Sequence, residues 1–277
     1  MQEAASYCAD LVRTADRDRY IATLFAPAQY RDALYALYAF DVEVAHVRER
    51  AREAAPGEIR LQWWREVLQG ERHGEAAASP VAASLLSTIE RHRLPVNAML
   101  ALLDARRFDL YNDPMRTIAE LEGYALKTAS ALIAMAAQIL GVDAAAAARW
   151  AGKAYTLAEV LASFPKHAAR RQLYLPVELL DRGGAHAADV FACRSSPALN
   201  QAAADLRRLA RDHLAAAANN LRALPRQALP AFLPIAPVPR LLDRLDRSDI
   251  FAPKVLSPWR RQWLIWRAAR NPDRLAG

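Results

Sequence analysis

Arginine and tyrosine side chains recur at two places in the chain with a spacing that suits the binding of an anion. Arg31 and Tyr38 lie seven residues apart, so on a helix they share one face. Further along, Arg170 and Arg171 come shortly before Tyr174. A guanidinium group can bind phosphate or carboxylate through two parallel hydrogen bonds. These residues could therefore bind a phosphate-bearing ligand, or they could be surface charges and core aromatics of ordinary helices.

The sequence lacks the short motifs that mark several classes of catalytic site. It contains no G-x-S-x-G, Gly-rich phosphate loop, H-E-x-x-H or C-x-x-C. Cys8 and Cys193 lie far apart, a spacing typical neither of a disulfide scaffold nor of a metal site. A zinc site built from His46, His167 and Glu49 is conceivable because imidazole suits Zn²⁺. The alternative, which we favour, is that both histidines are ordinary surface or loop residues.

The chain carries a formal net charge of +7, and arginine dominates its basic residues, with 33 Arg against 4 Lys. A basic surface suits diphosphates, acidic proteins, anionic lipid or nucleic acid. The arginines alternate with acidic residues and no nucleic-acid-binding motif appears, so we expect no nucleic-acid partner.

The elements that position these residues are expected to be helices, giving an all-α fold. Alanine makes up about a fifth of the chain, only 9 of 277 residues are glycine, and alternating β-branched runs are absent. Thr117 with Glu120 indicates a capping box, and Ser196 before Pro197 indicates an N-cap. Apolar periodicity between Pro and Gly predicts helices at about residues 3–15, 28–53, 58–69, 79–92, 95–111, 117–140, 143–164, 175–181, 197–222, 226–232, 238–244 and 256–269.

We expect one domain over residues 1–277, without a membrane-spanning segment. The longest uncharged run, Thr128–Val142, is shorter than the ~20 residues that cross a bilayer and predicts a buried central helix. Residues 1–20 lack the apolar region of a secretory signal, which favours a cytoplasmic protein, with peripheral contact at the inner face of the membrane as an option. The proline-rich segment 224–240 is too apolar for a solvated linker, so we expect it to be packed and kinked.

Two groups of tryptophans leave alternatives open. Trp63 and Trp64 point about 100° apart on a helix, so either both are core residues or one faces a groove or a partner. Trp259, Trp263 and Trp266 share one face of the last predicted helix. That face could lie on an anionic membrane, or cap the bundle with its aromatic side inward, which we favour. The basic residues around it are Arg260, Arg261, Arg267 and Arg270.

Several segments, in order, resemble the squalene/phytoene synthase family. Residues 24–40 contain P-x-x-x-R-x-A-x-Y-A-L-Y-A-F, which in that family leads into the first aspartate-rich motif. Residues 170–176, R-R-Q-L-Y-L-P, resemble the R-G-R-x-Y-L-P that follows the second motif. Between them, Tyr124–Leu140 is similar to the helix bearing Y-x-x-x-x-A-G, and Gly152-Lys153-Ala154 lies in the helix that leads to the second motif. The resemblance runs from about residue 7 to 180.

This resemblance implies a helical bundle of the class I isoprenoid synthase type. Active members join two prenyl diphosphates, with Mg²⁺ held by two acidic motifs. The family pattern places the first motif on Ala45, His46, Val47, Arg48 and Glu49, where only the last is acidic. The second falls on Ser163, Phe164, Pro165, Lys166 and His167, where no acid stands.

Neighbouring acids cannot replace the missing ligands of the first motif. Asp41 and Glu43 point about 200° apart on a helix and cannot act as a ligand pair. Pro165 is expected to break the helix that the second motif normally continues. The resemblance thus predicts a chain without bound metal or other cofactor, with Mg²⁺ only if it is an active enzyme. A residual anion or ligand pocket is predicted from Arg17, Tyr20, Arg31, Tyr38, Tyr124, Arg170, Arg171 and Tyr174.

One branch of the family, the assembly factors for respiratory complex I, departs from the acidic motifs in a similar way. Residues 41–49, D-V-E-V-A-H-V-R-E, are similar to that branch's N-x-E-[IL]-A-x-[IV]-[RK]-[DE]. Residues 57–65 and the D-I-F-A-P of residues 249–253 also resemble the branch. This resemblance implies a non-catalytic assembly factor with a complex I subunit or assembly intermediate as its partner. The alternatives are an active prenyl-condensing transferase or a protein that binds an isoprenoid or lipid.

Overall fold

A computed structural model of the chain describes residues 2–50 and 53–275. The structure is 77% helical. The described residues form no strand, and their sole β-type pairing is an isolated bridge between Asp249 and Ala252. The all-α prediction is confirmed.

The α-helices of the described residues follow one another with short connections. Leu126–Ser130 form a π-helical turn after the helix that ends at Ala125. Short 3₁₀ turns occur at Arg107–Leu110, Arg226–Ala228, Leu233–Ile235 and Pro272–Arg274. In chain order the α-helices are α1 Gln2–Ala15, α2 Arg17–Leu24, α3 Ala28–Ala45, α4 Val47–Arg50, α5 Ala54–Gln69, α6 His73–Ala78, α7 Pro80–His92, α8 Val96–Arg106, α9 Ile118–Ala125, α10 Ala131–Ile139, α11 Ala145–Ala162, α12 Phe164–Ala169, α13 Val177–Gly183, α14 Ala187–Phe191, α15 Pro197–Leu221, α16 Leu229–Phe232, α17 Val238–Leu245 and α18 Pro258–Arg270.

The boundaries of the predicted helices are close to those observed, with two informative exceptions. The helix predicted over 28–53 is wrong after residue 45, because α3 ends at Ala45 and a separate short helix, α4, follows; residues 51 and 52 of the predicted helix lie outside the described residues. The His46 ring explains the end: its Nδ1 lies 2.7 Å from the Val42 carbonyl oxygen and takes part in closing the last turn. The helix predicted over 143–164 ends at Ala162, and Pro165 stands in the first turn of α12, as its missing N–H allows. Helices α2, α6, α12 and α14 are too short for apolar periodicity to indicate them.

Both predicted N-terminal caps are confirmed. The Thr117 hydroxyl accepts from the N–H of Glu120 at 3.1 Å, and the Ser196 hydroxyl accepts from the N–H of Leu199 at 3.1 Å. The Glu120 carboxylate completes the first cap by accepting from the N–H of Arg116 at 2.7 Å, one residue before the usual donor. These bonds satisfy backbone donors that the first helical turn leaves without carbonyl partners.

The chain divides into two compact units. Unit 1 comprises Met1–Leu110, Ala131–Ala145 and Leu224–Pro234, and unit 2 comprises Tyr111–Ser130, Ala146–Ala223 and Ile235–Gly277. The single domain over residues 1–277 stays a prediction.

Unit 1 is built around α3, which packs against α1, α2 and α7. Every residue of α3 from Ala33 to Val44 is buried. Phe40 meets the ring of Trp64 edge to face, with ring centres 4.9 Å apart. A polar side chain in this buried part of α3 needs a bonding partner, and this applies to its two buried acids, Asp41 and Glu43.

Unit 2 contains a close helix contact at Gly152 of α11. A Cβ at this position would overlap the backbone nitrogen, Cα and hydroxyl of Ser130, in the π-helical turn. The Ser130 hydroxyl donates to the Arg149 carbonyl at 3.0 Å, which fixes that turn against α11. Glycine is therefore required here by space and not by backbone conformation.

The apolar segments behave as predicted. The proline-rich segment is packed, with Pro230, Ala231 and Phe232 buried in unit 1 and Ile235 buried in unit 2. Helix α10, in the longest uncharged run, is also largely buried. None of the helices in the described part of the chain has the length and apolar character needed to cross a membrane.

The structure decides between the alternatives for both groups of tryptophans. Trp64 is fully buried, whereas Trp63 is half-buried beside it. The favoured inward orientation of the last helix's aromatic face is wrong. Trp259, Trp263 and Trp266 are all exposed, because α18 packs through Leu264, Ile265 and Ala268 on its opposite side.

We expect Gly152→Ala to destabilise the protein by about 1–3 kcal/mol, because the added methyl group must displace backbone atoms of Ser130. Gly123→Ala is the matched control: this helical glycine has no neighbour within 4 Å of a built Cβ. The control should be neutral or stabilising by up to about 1 kcal/mol. Denaturant unfolding of the two variants measures the difference, and equal free energies of unfolding would contradict the close contact.

Candidate functional site

A buried carboxylate, Asp41, stands in α3 four residues before the first degenerate motif. Arg19 of α2 donates to its Oδ2 at 3.0 Å, and Arg106 of α8 donates to its Oδ1 at 3.2 Å. The chain of charges continues outward, because Arg19 also binds Asp16 at 2.6 Å and Arg106 binds Asp109 at 3.3 Å. Both oxygens of Asp41 are thus engaged by guanidinium groups.

The two arginines keep Asp41 ionised. Burial alone would raise the pKa of this carboxyl, but the positive charges of Arg106 and Arg19 outweigh burial and hold the pKa below its usual range. An ionised carboxylate that already accepts from two guanidinium groups is a fixed structural charge. It is therefore poorly placed to serve as a metal ligand.

The second acid of α3, Glu43, is also paired. Arg60 of α5 donates to its carboxylate, and the same guanidinium lies over the Trp63 ring, 4.4 Å from its centre. The Trp63 indole N–H donates to Glu75 at 2.9 Å. Glu43, Arg60, Trp63 and Glu75 thus form one contact chain at the edge of unit 1, which explains why Trp63 does not enter the core.

The degenerate first motif lies where α3 ends. Ala45 is the last residue of α3, and His46 is its C-cap. The Nε2 atom of His46 lies 3.6 Å from the Glu49 carboxylate, on the short helix α4. The segment to which the family resemblance assigns the first acidic motif is therefore a helix terminus with a single carboxylate.

The predicted pocket residues of unit 1 have separate surroundings. Arg17 is exposed, and Tyr20 stacks on Tyr35 with ring centres 5.5 Å apart. Tyr38 is buried, with the Arg19 guanidinium 5.5 Å from its ring centre. Arg31 donates to the backbone carbonyls of residues 24 and 26, each at 2.9 Å, and so closes the end of α2. Its guanidinium therefore has a structural use that its spacing from Tyr38 did not reveal.

The segment assigned to the second motif, in unit 2, contains an imidazole whose pKa is lowered by burial. Ser163 precedes α12, Lys166 is exposed, and His167 is partly buried. The Nδ1 of His167 has no hydrogen-bond partner among the described residues. Burial, helped by the charges of Lys166 and Arg170, lowers the pKa of His167 to about 4. The ring is therefore neutral at ordinary pH.

Three of the unit 2 residues named from the sequence come together. The Tyr174 ring lies 4.5 Å from the His167 ring and 6.0 Å from the Tyr124 ring, between centres. Arg170 and Arg171 are exposed, and the Arg171 guanidinium lies over Phe191 at 5.3 Å. Unit 2 thus groups an aromatic set, Tyr124, His167 and Tyr174, with the two arginines at the surface. The combined anion pocket stays a prediction.

Unit 2 contains a second ion cluster that was not predicted from the sequence. Lys153 donates to Glu122 at 2.7 Å, and His213 Nε2 lies 2.6 Å from the other oxygen of the same carboxylate. Burial would raise the pKa of Glu122, but Lys153 and His213 lower it overall. One signal was available: Lys153 is one of four lysines and lies among small apolar residues of α11, where a cation needs an acidic partner.

The donor set does not fit Mg²⁺. This ion prefers hard oxygen ligands, whereas the two motif segments offer one exposed carboxylate, Glu49, and two imidazoles. The carboxylates of Asp41 and Glu43 are held by arginines. Within residues 2–50 and 53–275, no three His, Cys, Asp or Glu side chains are grouped so that they could hold a metal ion. No step of a magnesium-dependent reaction can be built on these residues.

We expect Asp41→Asn to cost about 1.5–3 kcal/mol of stability, because it removes the buried negative charge that Arg19 and Arg106 share, while Asp16 and Asp109 stay paired with them. Asp104→Asn, which removes a half-exposed carboxylate paired with Arg65, should cost about 1 kcal/mol or less. Urea unfolding at neutral pH measures both, and a cost for Asp41→Asn no larger than for the control would contradict the role of Asp41.

The same pair of variants has an expected pH dependence. Since the folded-state pKa of Asp41 is lowered, its stabilisation is full above the unfolded pKa of about 4 and declines as pH falls further. The difference in stability between the wild type and Asp41→Asn should therefore shrink in acid. A difference that grows below pH 4 would have the wrong sign.

Comparison with known proteins places these features in a family. The model of the squalene/phytoene synthase family matches residues 12–267. The chain is 31% identical to complex I assembly factor 6 of Homo sapiens and 32% identical to that of Rattus norvegicus, over 90% of this chain and 76% of each relative. It is 25% identical to a 15-cis-phytoene synthase of Synechocystis sp., over 66% of this chain and 58% of the relative.

Solved structures agree on the fold. A crystal structure of a dehydrosqualene synthase matches with a TM-score of 0.81 at 19% identity, covering 97% of this chain and 96% of that one. A squalene synthase from Alicyclobacillus acidocaldarius matches with a TM-score of 0.73 at 19% identity, covering 97% and 94%. The predicted isoprenoid synthase fold is confirmed, and the chain belongs to the squalene/phytoene synthase family.

Proposed function

We propose that this protein is a non-catalytic assembly factor for respiratory complex I, the NADH:quinone oxidoreductase. The observation that carries the proposal is the similarity to the complex I assembly factor 6 proteins, at about 31% identity over 90% of the chain. The likeness to the Synechocystis phytoene synthase is lower and covers less of the chain. Both comparisons are most simply explained if this protein belongs to the same branch of the family as the complex I assembly factors.

The side chains at the two motif positions support the proposal that this protein does not catalyse prenyl transfer. A class I reaction needs metal ions that neutralise the departing diphosphate, and such ions need several carboxylates. The motif positions provide Ala45, His46 and Glu49 in unit 1, and Ser163, Lys166 and His167 in unit 2. Neutral His167 and arginine-bound Asp41 do not compensate for the missing oxygen ligands.

The proposed partner is a subunit or assembly intermediate of complex I, at the inner face of the membrane in which the complex is built. An acidic or membrane-embedded intermediate would match the net charge of +7 and the exposed arginines of the surface. An isoprenoid or lipid could bind near the aromatic set Tyr124, His167 and Tyr174 as a structural ligand.

Deleting the gene tests this function. We expect the amount of assembled NADH:quinone oxidoreductase, measured on native gels and by NADH:quinone activity of membranes, to fall severalfold while succinate dehydrogenase stays constant. Wild-type protein should restore the complex. An unchanged amount of complex I in the deletion strain would remove the assembly role and leave isoprenoid or lipid binding, or catalysis, to be considered.

A further inference from the structure

The last helix, α18, presents an aromatic stripe to solvent. Trp259 is 82% exposed, Trp263 49% and Trp266 45%. They are spaced i, i+4 and i+7, so they form one continuous line on the outer side of the helix, extended by exposed Arg270. Three large exposed indoles in one line are unusual on a protein surface and indicate a binding surface.

The stripe is held facing outward. Leu264 and Ile265 are buried on the opposite side of α18, together with Ala268. Arg261, on the inner side, donates to Glu159 of α11 at 3.1 Å. Turning the tryptophans inward would expose the aliphatic side and break this ion pair, so the outward face is a fixed property of unit 2.

The charge around the stripe has one sign. From Lys254 to Arg270 the chain contains five basic residues and no acidic one. Arg260 and Arg267 fall along one edge of the stripe. The Arg267 guanidinium lies 5.1 Å from the Trp263 ring centre, and that of Arg270 lies 4.4 Å from the Trp266 ring centre. The outer face of α18 thus combines apolar rings with guanidinium groups stacked on them.

We propose that the outer face of α18 binds the surface of an anionic lipid bilayer, with the helix lying in the plane of the membrane. Tryptophan favours the boundary between headgroups and acyl chains, and arginines at the same level meet lipid phosphates. A bilayer surface presents acyl chains and anionic headgroups everywhere along its plane. The tryptophans of the stripe match the acyl chains, the arginines along its edge match the headgroups, and no acid on α18 would repel them. This inference depends on unit 2 alone and is independent of the proposed assembly role.

Vesicle binding by the full chain tests the proposal. The probe is a set of vesicles of phosphatidylcholine with phosphatidylglycerol, compared with pure phosphatidylcholine, in a sedimentation assay at low and high salt. We expect binding to the anionic vesicles that weakens in high salt and is at least about tenfold stronger than binding to neutral ones. Replacing the three exposed tryptophans (W259A/W263A/W266A), or the three arginines (R260Q/R267Q/R270Q), should each reduce binding about tenfold or more.

Matched controls separate the stripe from general surface charge. The triple variant R13Q/R208Q/R240Q removes three exposed arginines of other helices, each paired with an aspartate, and should bind like the wild type. Thermal unfolding of every variant checks that the fold is intact. Three outcomes would overturn the proposal: no binding to anionic vesicles, equal loss in the control variant, or α18 variants that keep vesicle binding but lose a protein partner.

Discussion

A carboxylate buried inside a helical bundle can remain charged only when cations replace the water it has lost. In unit 1 this constraint is met at Asp41, whose two oxygens are divided between Arg19 and Arg106. The arrangement joins α2, α3 and α8 through one side chain. It also determines what this part of α3 can do, because arginines bind both acids, Asp41 and Glu43, that lie just before the segment assigned to the first acidic motif. Helix α3, which the family resemblance places before the first acidic motif, thus carries a structural ion network.

In unit 2, polar and aromatic side chains likewise bind one another. At the second degenerate motif, His167 is neutral and lies against Tyr174, and Pro165 starts a new helix. Nearer the start of α11, Lys153 donates to Glu122, so this carboxylate too is part of an ion pair. In both units the helices of the family remain, while their polar side chains bind one another. Ion pairs and ring contacts thus join the helices within each unit.

Local sequence patterns were enough to predict most of the longer helices, the caps at Thr117 and Ser196, and the packed proline-rich segment, since each depends on residues a few positions apart. The partners of Asp41 could not be predicted in this way, because Arg19 and Arg106 are 22 and 65 residues away. The orientation of α18 was missed for another reason. Its sequence has an aromatic and an aliphatic face, and periodicity alone does not show which of the two is buried. The resemblance of ordered motifs identified the family, which neither composition nor periodicity could do.

The most direct test of the central proposal, that this protein does not catalyse prenyl transfer, is a turnover measurement. Purified protein is incubated with Mg²⁺ and farnesyl or geranylgeranyl diphosphate, and released diphosphate is measured beside an active dehydrosqualene synthase. The account predicts release no greater than in the protein-free control. Release that exceeds this control and disappears when Mg²⁺ is removed would contradict it.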